Sequence, residues 1–215
     1  SQLNVFTALK DLSGKASALY GGSAGIGVAL SDSLSWQYGS GKMAESDTSK
    51  SFYGMTVPLI EKGIPVTIPS LEKLETAADL AGLKLLILSY DCQKPLSSAA
   101  NQAIADWVKA GGVLLYLGGK DDYSSLAGTW WNDQGKTPML DLFARLGLSG
   151  ISTGNILSGS SLSWKGESGF GSSFGSASLS SGNRSYSYAF SGSGFTTILK
   201  AGLFGNLNVG IRADA

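Results

Sequence analysis

The chain reads as an α/β protein, a three-layer parallel sheet followed by a Ser/Gly-rich β appendage. Three observations carry that reading. Leu83–Gly119 runs apolar strand, amphipathic helix, apolar strand (LKLLILSYD, CQKPLSSAANQAIADWVKAGG, VLLYLGG), the pattern of a βαβ unit. The runs Leu83, Leu85–Leu88 and Val113–Leu117 are too continuous for half-exposed strands, which predicts burial on both faces. Between them Ala99, Ala103, Ile104, Trp107 and Val108 recur at helical spacing, with Asp106 and Lys109 off the stripe and Gly111–Gly112 as the stop.

The remaining elements follow in order. Residues 1–15 form a polar lead-in with one amphipathic turn (Leu3, Phe6, Leu9), and Ala16–Ser33 contains the first strand, expected within Ile26–Ser31 with the ASALY segment as the alternative. Trp36–Ser51 is a polar loop. A helix is expected over Phe52–Lys62 with Phe52, Met55, Leu59 and Ile60 on one face; Pro58 limits its regularity and Gly63 ends it. Ile64–Ile68 alternates as a second strand, Leu71–Leu80 is a short helical turn, and the two runs above bring the parallel strands to four. Met139–Leu146 is a helix closed by Gly147. From about Ile151 Ser and Gly dominate, with Trp164, Phe170, Phe174, Tyr186, Tyr188 and Phe190 spaced among them. Alternating aromatics favour short strands joined by glycine turns. Residues 1–150 are therefore read as the α/β domain and 151–215 as the appendage, with the edge of the main sheet as its expected pairing partner.

Composition narrows the chemistry. With 16 basic and 16 acidic residues in 215, nothing steers the chain toward nucleic acid or an anionic membrane. Charged residues are 15% of the total, so the polar surface is largely Ser, Gly, Asn and Thr, as suits an extracellular or cell-surface protein. The absence of histidine rules out Ser-His-Asp and Cys-His nucleophile systems and histidine-based zinc sites. One cysteine, Cys92, allows no internal disulfide. No apolar run approaches the ~18 residues of a membrane span, and the start at Ser1 without Met suggests a processed chain or a fragment.

Two motifs invite enzymatic readings. Gly21-Gly22-Ser-Ala-Gly25-Ile-Gly27 resembles the glycine-rich loop of short-chain dehydrogenases, which implies an NAD(P)-dependent oxidoreductase as the alternative function. The accompanying Tyr-x-x-x-Lys pairs, Tyr90–Lys94 and Tyr116–Lys120, do not fall on helices: Tyr90 ends a strand before Pro95, and Tyr116 lies inside VLLYL. Asp91-Cys92-Gln93 invites a catalytic thiol, yet Cys92 lacks both flanking glycines and a histidine to ionise it.

A longer resemblance spans roughly residues 26–148. SDSLSWQYG, FYGMTVPLIEKGIPVTIPSLEKL, KLLILSYD, QKP, ADWVKAGGVLLYLGGKDDY and WWNDQGK together resemble the class I glutamine amidotransferase-like domain found in multidomain glycoside hydrolases. The trimerisation domain of family-42 β-galactosidases is a relative of that class. The resemblance implies a flavodoxin-like fold and an association with carbohydrate-active proteins. It places the nucleophile elbow near Gly118–Gly119, where neither Cys nor Ser stands, so no catalytic residue carries over.

Open parallel sheets bind ligands at the carboxyl ends of their strands. Those ends gather Asp32, Ser33 and Trp36, then Tyr90 and Asp91, then Lys120, Asp121, Asp122 and Tyr123, with Trp130, Trp131, Asn132 and Asp133 following. Carboxylates beside aromatic faces are the chemistry of sugar recognition. Asp32, Trp36, Tyr90, Asp91, Lys120, Asp121, Asp122, Trp130 and Trp131 are accordingly the candidate contacts to a saccharide or a neighbouring catalytic domain. The bland alternative is that Trp130 and Trp131 pack the loop onto the sheet. Asp32, Asp91, Asp121 and Asp122 could also converge on Mg²⁺, but no phosphate-binding Lys/Thr pattern accompanies them. Neither metal nor cofactor is expected. The sequence points to a non-catalytic accessory, assembly or saccharide-contacting domain, with homo-oligomerisation left open.

Overall fold

The structure, a computed structural model, describes residues 7, 10, 24–36, 47–91, 93–118, 128–148, 150–158, 161–164, 176–178, 184–189, 195–201 and 207–213. Within the first part lie β1 (Ile26–Val28), α1 (Ser33–Trp36), α2 (Asp47–Ile60), β2 (Leu85–Ser89), α3 (Ser98–Lys109), β3 (Val113–Leu117) and α4 (Pro138–Arg145). Short 3-10 turns stand at Leu71–Lys73, Ala77–Leu80 and Asn132–Gln134.

The strands form a parallel sheet in the order β1-β2-β3, with Ile26 against Leu85 and Leu85 against Val113. The expected strand at Ile64–Ile68 is not continuous. Its segment touches β1 through two isolated parallel bridges, Gly27 with Thr67 and Leu30 with Ser70. Val28 N–H donates to the Thr67 carbonyl and Thr67 N–H to the Ile26 carbonyl, each at 2.9 Å. Pro65 and Pro69 bring no N–H to such a ladder, so pairing stays local on this edge. The regular strands thus number three, not four, among the described residues. The spatial order (64–70)-β1-β2-β3 still follows the flavodoxin-like winding.

Register decides which side chains share a face. Leu86, Leu88, Leu114 and Tyr116 point to one side, where α3 and α4 cover them with Ala103, Ile104, Trp107, Leu142 and Phe143. Tyr116 packs edge-on against Tyr90 (5.8 Å) and Phe143 (5.3 Å). On the other side Ile26, Val28, Leu85 and Ile87 meet Phe52, Met55 and Leu59 of α2. The Ile60 side chain, expected on that face, is instead exposed, and Thr56 is buried. The helix runs past its expected N-terminus and stops earlier than Lys62.

β3 departs from expectation. Leu114 and Tyr116 are half-buried, whereas Val113, Leu115 and Leu117 are exposed by 59, 43 and 41%. The continuous apolar run reads as buried on both faces, but the α2 layer does not extend over β3.

Caps explain the helix boundaries. The Ser97 hydroxyl accepts the Ala99 N–H at 3.3 Å to open α3, and the Thr137 hydroxyl accepts that of Leu140 at 3.2 Å ahead of Pro138 in α4. Gly111 ends α3 at φ +107°. Gly112 is required for a different reason: a Cβ there would stand 2.4 Å from the Trp107 indole.

The C-terminal part contains β4 (Ser152–Ser158), β5 (Ser161–Trp164), β6 (Ser176–Ser178), β7 (Arg184–Ala189), β8 (Phe195–Ala201) and β9 (Leu207–Ala213). They form a six-stranded antiparallel sheet in the order β4-β7-β9-β8-β5-β6. Among the described residues no strand joins this sheet to the parallel one, so the expected pairing at the main sheet's edge is not formed.

The two glycines after α3 make a matched test. Gly112→Ala should lower unfolding free energy by about 2 kcal/mol through overpacking against Trp107. Gly111→Ala, whose new Cβ meets nothing within 4 Å, should cost about 1 kcal/mol for its left-handed backbone. Urea denaturation of both variants checks the order.

Candidate functional site

The carboxyl ends of β1 and β2 open into short polar loops, and these are tied to one another. Gln93, 2% exposed, lies between them. Its Oε1 accepts the Ser31 N–H at 2.9 Å, and its Nε2 donates to the carbonyls of Ser89 at 2.7 Å and Ala29 at 3.3 Å. The Ser33 hydroxyl accepts the Lys94 N–H at 2.7 Å and donates to the Lys94 carbonyl at 2.9 Å. The Ser31 hydroxyl donates to Glu72 Oε1 at 2.5 Å; that oxygen also accepts the Asp32 N–H at 2.9 Å. Glu72 Oε2 accepts from the Ser70 hydroxyl at 2.8 Å, which brings the edge segment into the same network. Buried Lys94 donates from Nζ to the Tyr90 carbonyl at 2.5 Å.

The candidate residues separate on this frame. Asp32 is exposed at the head of the first loop, and Trp36 is the last residue of α1. Tyr90 is not at the rim. It is 2% exposed, and its hydroxyl donates to Asn101 Oδ1, while Asn101 Nδ2 donates to Asp141 Oδ2 at 2.9 Å. The strand's apolar pattern continues through Tyr90, so the ring follows it into the core. Burial, then the Asp141 carboxylate, push its phenol far above the ordinary value. The bond from Asn101 fastens α3 to α4, and Asp141 also accepts from Arg145 Nε at 2.7 Å within α4.

Asp91 is half-buried. Gly118, at φ +107°, lies against its carboxylate so closely that a Cβ at 118 would stand 2.5 Å from Oδ2. Trp131 is 5% exposed and packs edge-on to Trp130 at 5.4 Å. Trp130 remains half-buried, its indole N–H donating to the Pro95 carbonyl at 2.9 Å. The packing alternative thus describes Trp131, whereas Trp130 keeps part of its ring toward solvent. Lys120, Asp121, Asp122 and Tyr123 lie outside the described residues, as does Cys92. Among the described residues no three of Asp, Glu, Cys and His gather as a metal site requires.

Gly21 and Gly22 lie outside the described residues, and neither Gly25 nor Gly27 opens a helix. Gly25 turns at φ +71°, and Gly27 is inside β1, where a Cβ would meet Leu83 Cδ1 at 2.7 Å. Its smallness serves sheet packing. The dinucleotide-loop reading fails on this placement, because β1 follows where that loop requires a helix N-terminus.

Sequence reasoning missed Glu72, Gln93 and Lys94. The visible signal was a polar Gln-Lys pair directly after a buried strand; their partners Ser31 and Ser33 stand about sixty positions away. Chemically, the described rim is a closed set of donors and acceptors that holds three loops in fixed positions, leaving Asp32, Leu96 and part of Trp130 toward solvent.

No family model and no curated protein sequence matches the chain. Among solved structures, a ThuA-like protein from Bacteroides uniformis superposes with a TM-score of 0.52 at 11% identity, covering 87% of this chain and 75% of that one. The shared feature is the fold. This likeness supports the α/β flavodoxin-like architecture. A β-galactosidase from Bifidobacterium adolescentis also aligns over 87% of this chain and 84% of its own, at 15% identity and a TM-score of 0.39, too distant in shape to carry an argument.

Two outcomes follow from the buried polar groups. Gln93→Leu removes the partner of three backbone groups and should cost about 2–3 kcal/mol in urea denaturation. The raised Tyr90 pKa favours the neutral phenol in the folded state, so its contribution is complete below the ordinary value of 10.0 and is lost as pH rises beyond it. Thermal melts from about pH 8 to about pH 11 should show a shallower alkaline decline in Tyr90→Phe than in the parent.

Proposed function

We propose that this chain is a non-catalytic accessory domain of a carbohydrate-active, glycoside hydrolase-like protein, and that its sheet rim contacts saccharide. The observation that carries the non-catalytic part is Gly118. In the resembled amidotransferase-like class the nucleophile stands on the turn after this strand. Here that turn begins with Gly118, left-handed at φ +107° and so near the Asp91 carboxylate that a Cβ at 118 would require the carboxylate to move. The chain also has no histidine to serve as base, and the described rim hydroxyls of Ser31 and Ser33 are engaged with Glu72 and Lys94.

The saccharide part rests on the ordered motifs of residues 26–148 and on what the rim offers. The Pro95 carbonyl fixes the Trp130 indole, and the bonds of Ser33 to Lys94 hold that loop beside Asp32. A pre-set aromatic edge with a neighbouring carboxylate suits C–H stacking and hydroxyl recognition. The low charge and abundant Ser and Gly fit an extracellular setting.

Titration with a panel of soluble oligosaccharides, followed by tryptophan fluorescence, should give saturable quenching without hydrolysis of the glycan. Trp130→Ala should weaken that binding at least about tenfold, or ~1.4 kcal/mol. A panel without response, or an unchanged response in Trp130→Ala, would falsify the saccharide role; hydrolysis that survives purification would refute the non-catalytic one.

A further inference from the structure

The two faces of the parallel sheet are finished differently. On the α3 side the apolar residues are covered, and α3 shows solvent an ordinary polar face of Gln102, Asp106 and Lys109. On the α2 side they are not. Register puts Val113 beside Leu85 and Leu115 beside Ile87, so the bare side chains of β3 share the α2 side of the sheet. Ile68, two residues from the packed Val66, belongs to this side as well. The helix itself adds Tyr53, Val57 and Ile60, spaced i, i+4, i+7 along a stripe next to its core-facing one. Seven of the eight large hydrophobics exposed among the described residues therefore belong to one layer.

The middle of that layer also lacks charge. Residues 51–60, 63–71 and 110–117 contain no Asp, Glu, Lys or Arg; Asp47 and Lys50 at the start of α2 and Glu61 and Lys62 after it, two charges of each sign, flank that stretch. A helix apolar on two sides is not a solvent-facing helix. Depletion of charge around aromatic and aliphatic side chains is the composition of an interface centre.

We propose that the α2 layer is a docking surface for a second copy of this chain, related by a two-fold axis. The area fits. At 40 to 59% exposure the six side chains of α2 and β3 present on the order of 550 Å², within the range of a monomer's largest patch and the greater part of the about 800 Å² per partner of a stable interface; Ile68 lies at the opposite edge of the sheet from β3. The charge fits too. An uncharged apolar face offers no complement to a charged partner but is complementary to itself, the requirement of an isologous contact. With 16 charges of each sign the chain carries no net repulsion against its own copy. The inference is independent of what the rim binds.

Sedimentation velocity on the full chain, from about 1 to about 100 μM, should show a two-copy species. Val57→Lys and Ile60→Lys place charge on exposed helix positions, so the fold should persist by circular dichroism. Each should raise the dimer dissociation constant at least about tenfold. Lys109→Glu, on the opposite layer, should leave it unchanged. A monomer throughout the range overturns the proposal. If that monomer also fails to bind the hydrophobic dye ANS, a segment of the same chain is the occupant instead. A dimer that survives both lysine variants overturns it equally.

Discussion

Where two parallel strands stop pairing, their last backbone groups face a widening gap, and a buried gap cannot be left unsatisfied. In this protein a single carboxamide fills it. Gln93 offers one acceptor to Ser31 and two donors to Ala29 and Ser89, so the ends of β1 and β2 stay joined beyond the ladder. Because Gln93 is held, Lys94 and Pro95 are held next to it. Ser33 then docks on Lys94, and Trp130 on Pro95. The shape of the rim follows from that one side chain.

The same economy bears on chemistry. Flavodoxin-like sheets present reactive groups on the turns after their strands, where backbone and side chains face the open edge. Here the turn after β3 begins with a glycine lying on a carboxylate, and the described hydroxyls after β1 are committed to Glu72 and Lys94. A hydroxyl whose proton is held by a carboxylate or a carbonyl, with no imidazole in the chain to take it, is a positioning group rather than a nucleophile. Along the part of the rim described, side chains and backbone engage one another.

Layering sets the second constraint. On one side α3 and α4 are cross-linked by a buried polar chain from Tyr90 through Asn101 to Asp141 and Arg145. This chain fixes the helices without exposing apolar surface. On the other side α2 covers β1 and β2 and leaves β3 bare. The sheet is thus closed on one face and open on the other. The uncovered part of that face is the aliphatic row Val113, Leu115 and Leu117.

Much of the architecture was legible in the residues themselves. The helical stripe of α3, its glycine stop, the apolar run of β2 and the alternating aromatics near the C-terminus each encode a local period, and local periods need no partner to be read. What a side chain meets across the fold is not encoded that way. The run Val113–Leu117 looks buried from its composition, yet burial depends on how far α2, a helix remote in the chain and in the fold's other layer, reaches. Tyr90 looks like a strand-end ligand until the core receives it, and Gly27 looks like a phosphate turn until Leu83 is placed on it. Glu72, Gln93 and Lys94 acquire their roles from groups some forty to sixty positions distant. Periodicity along the chain determined the strands, helices and fold class. Contacts between segments remote in sequence decided which residues form the rim, which are core and which face remains uncovered.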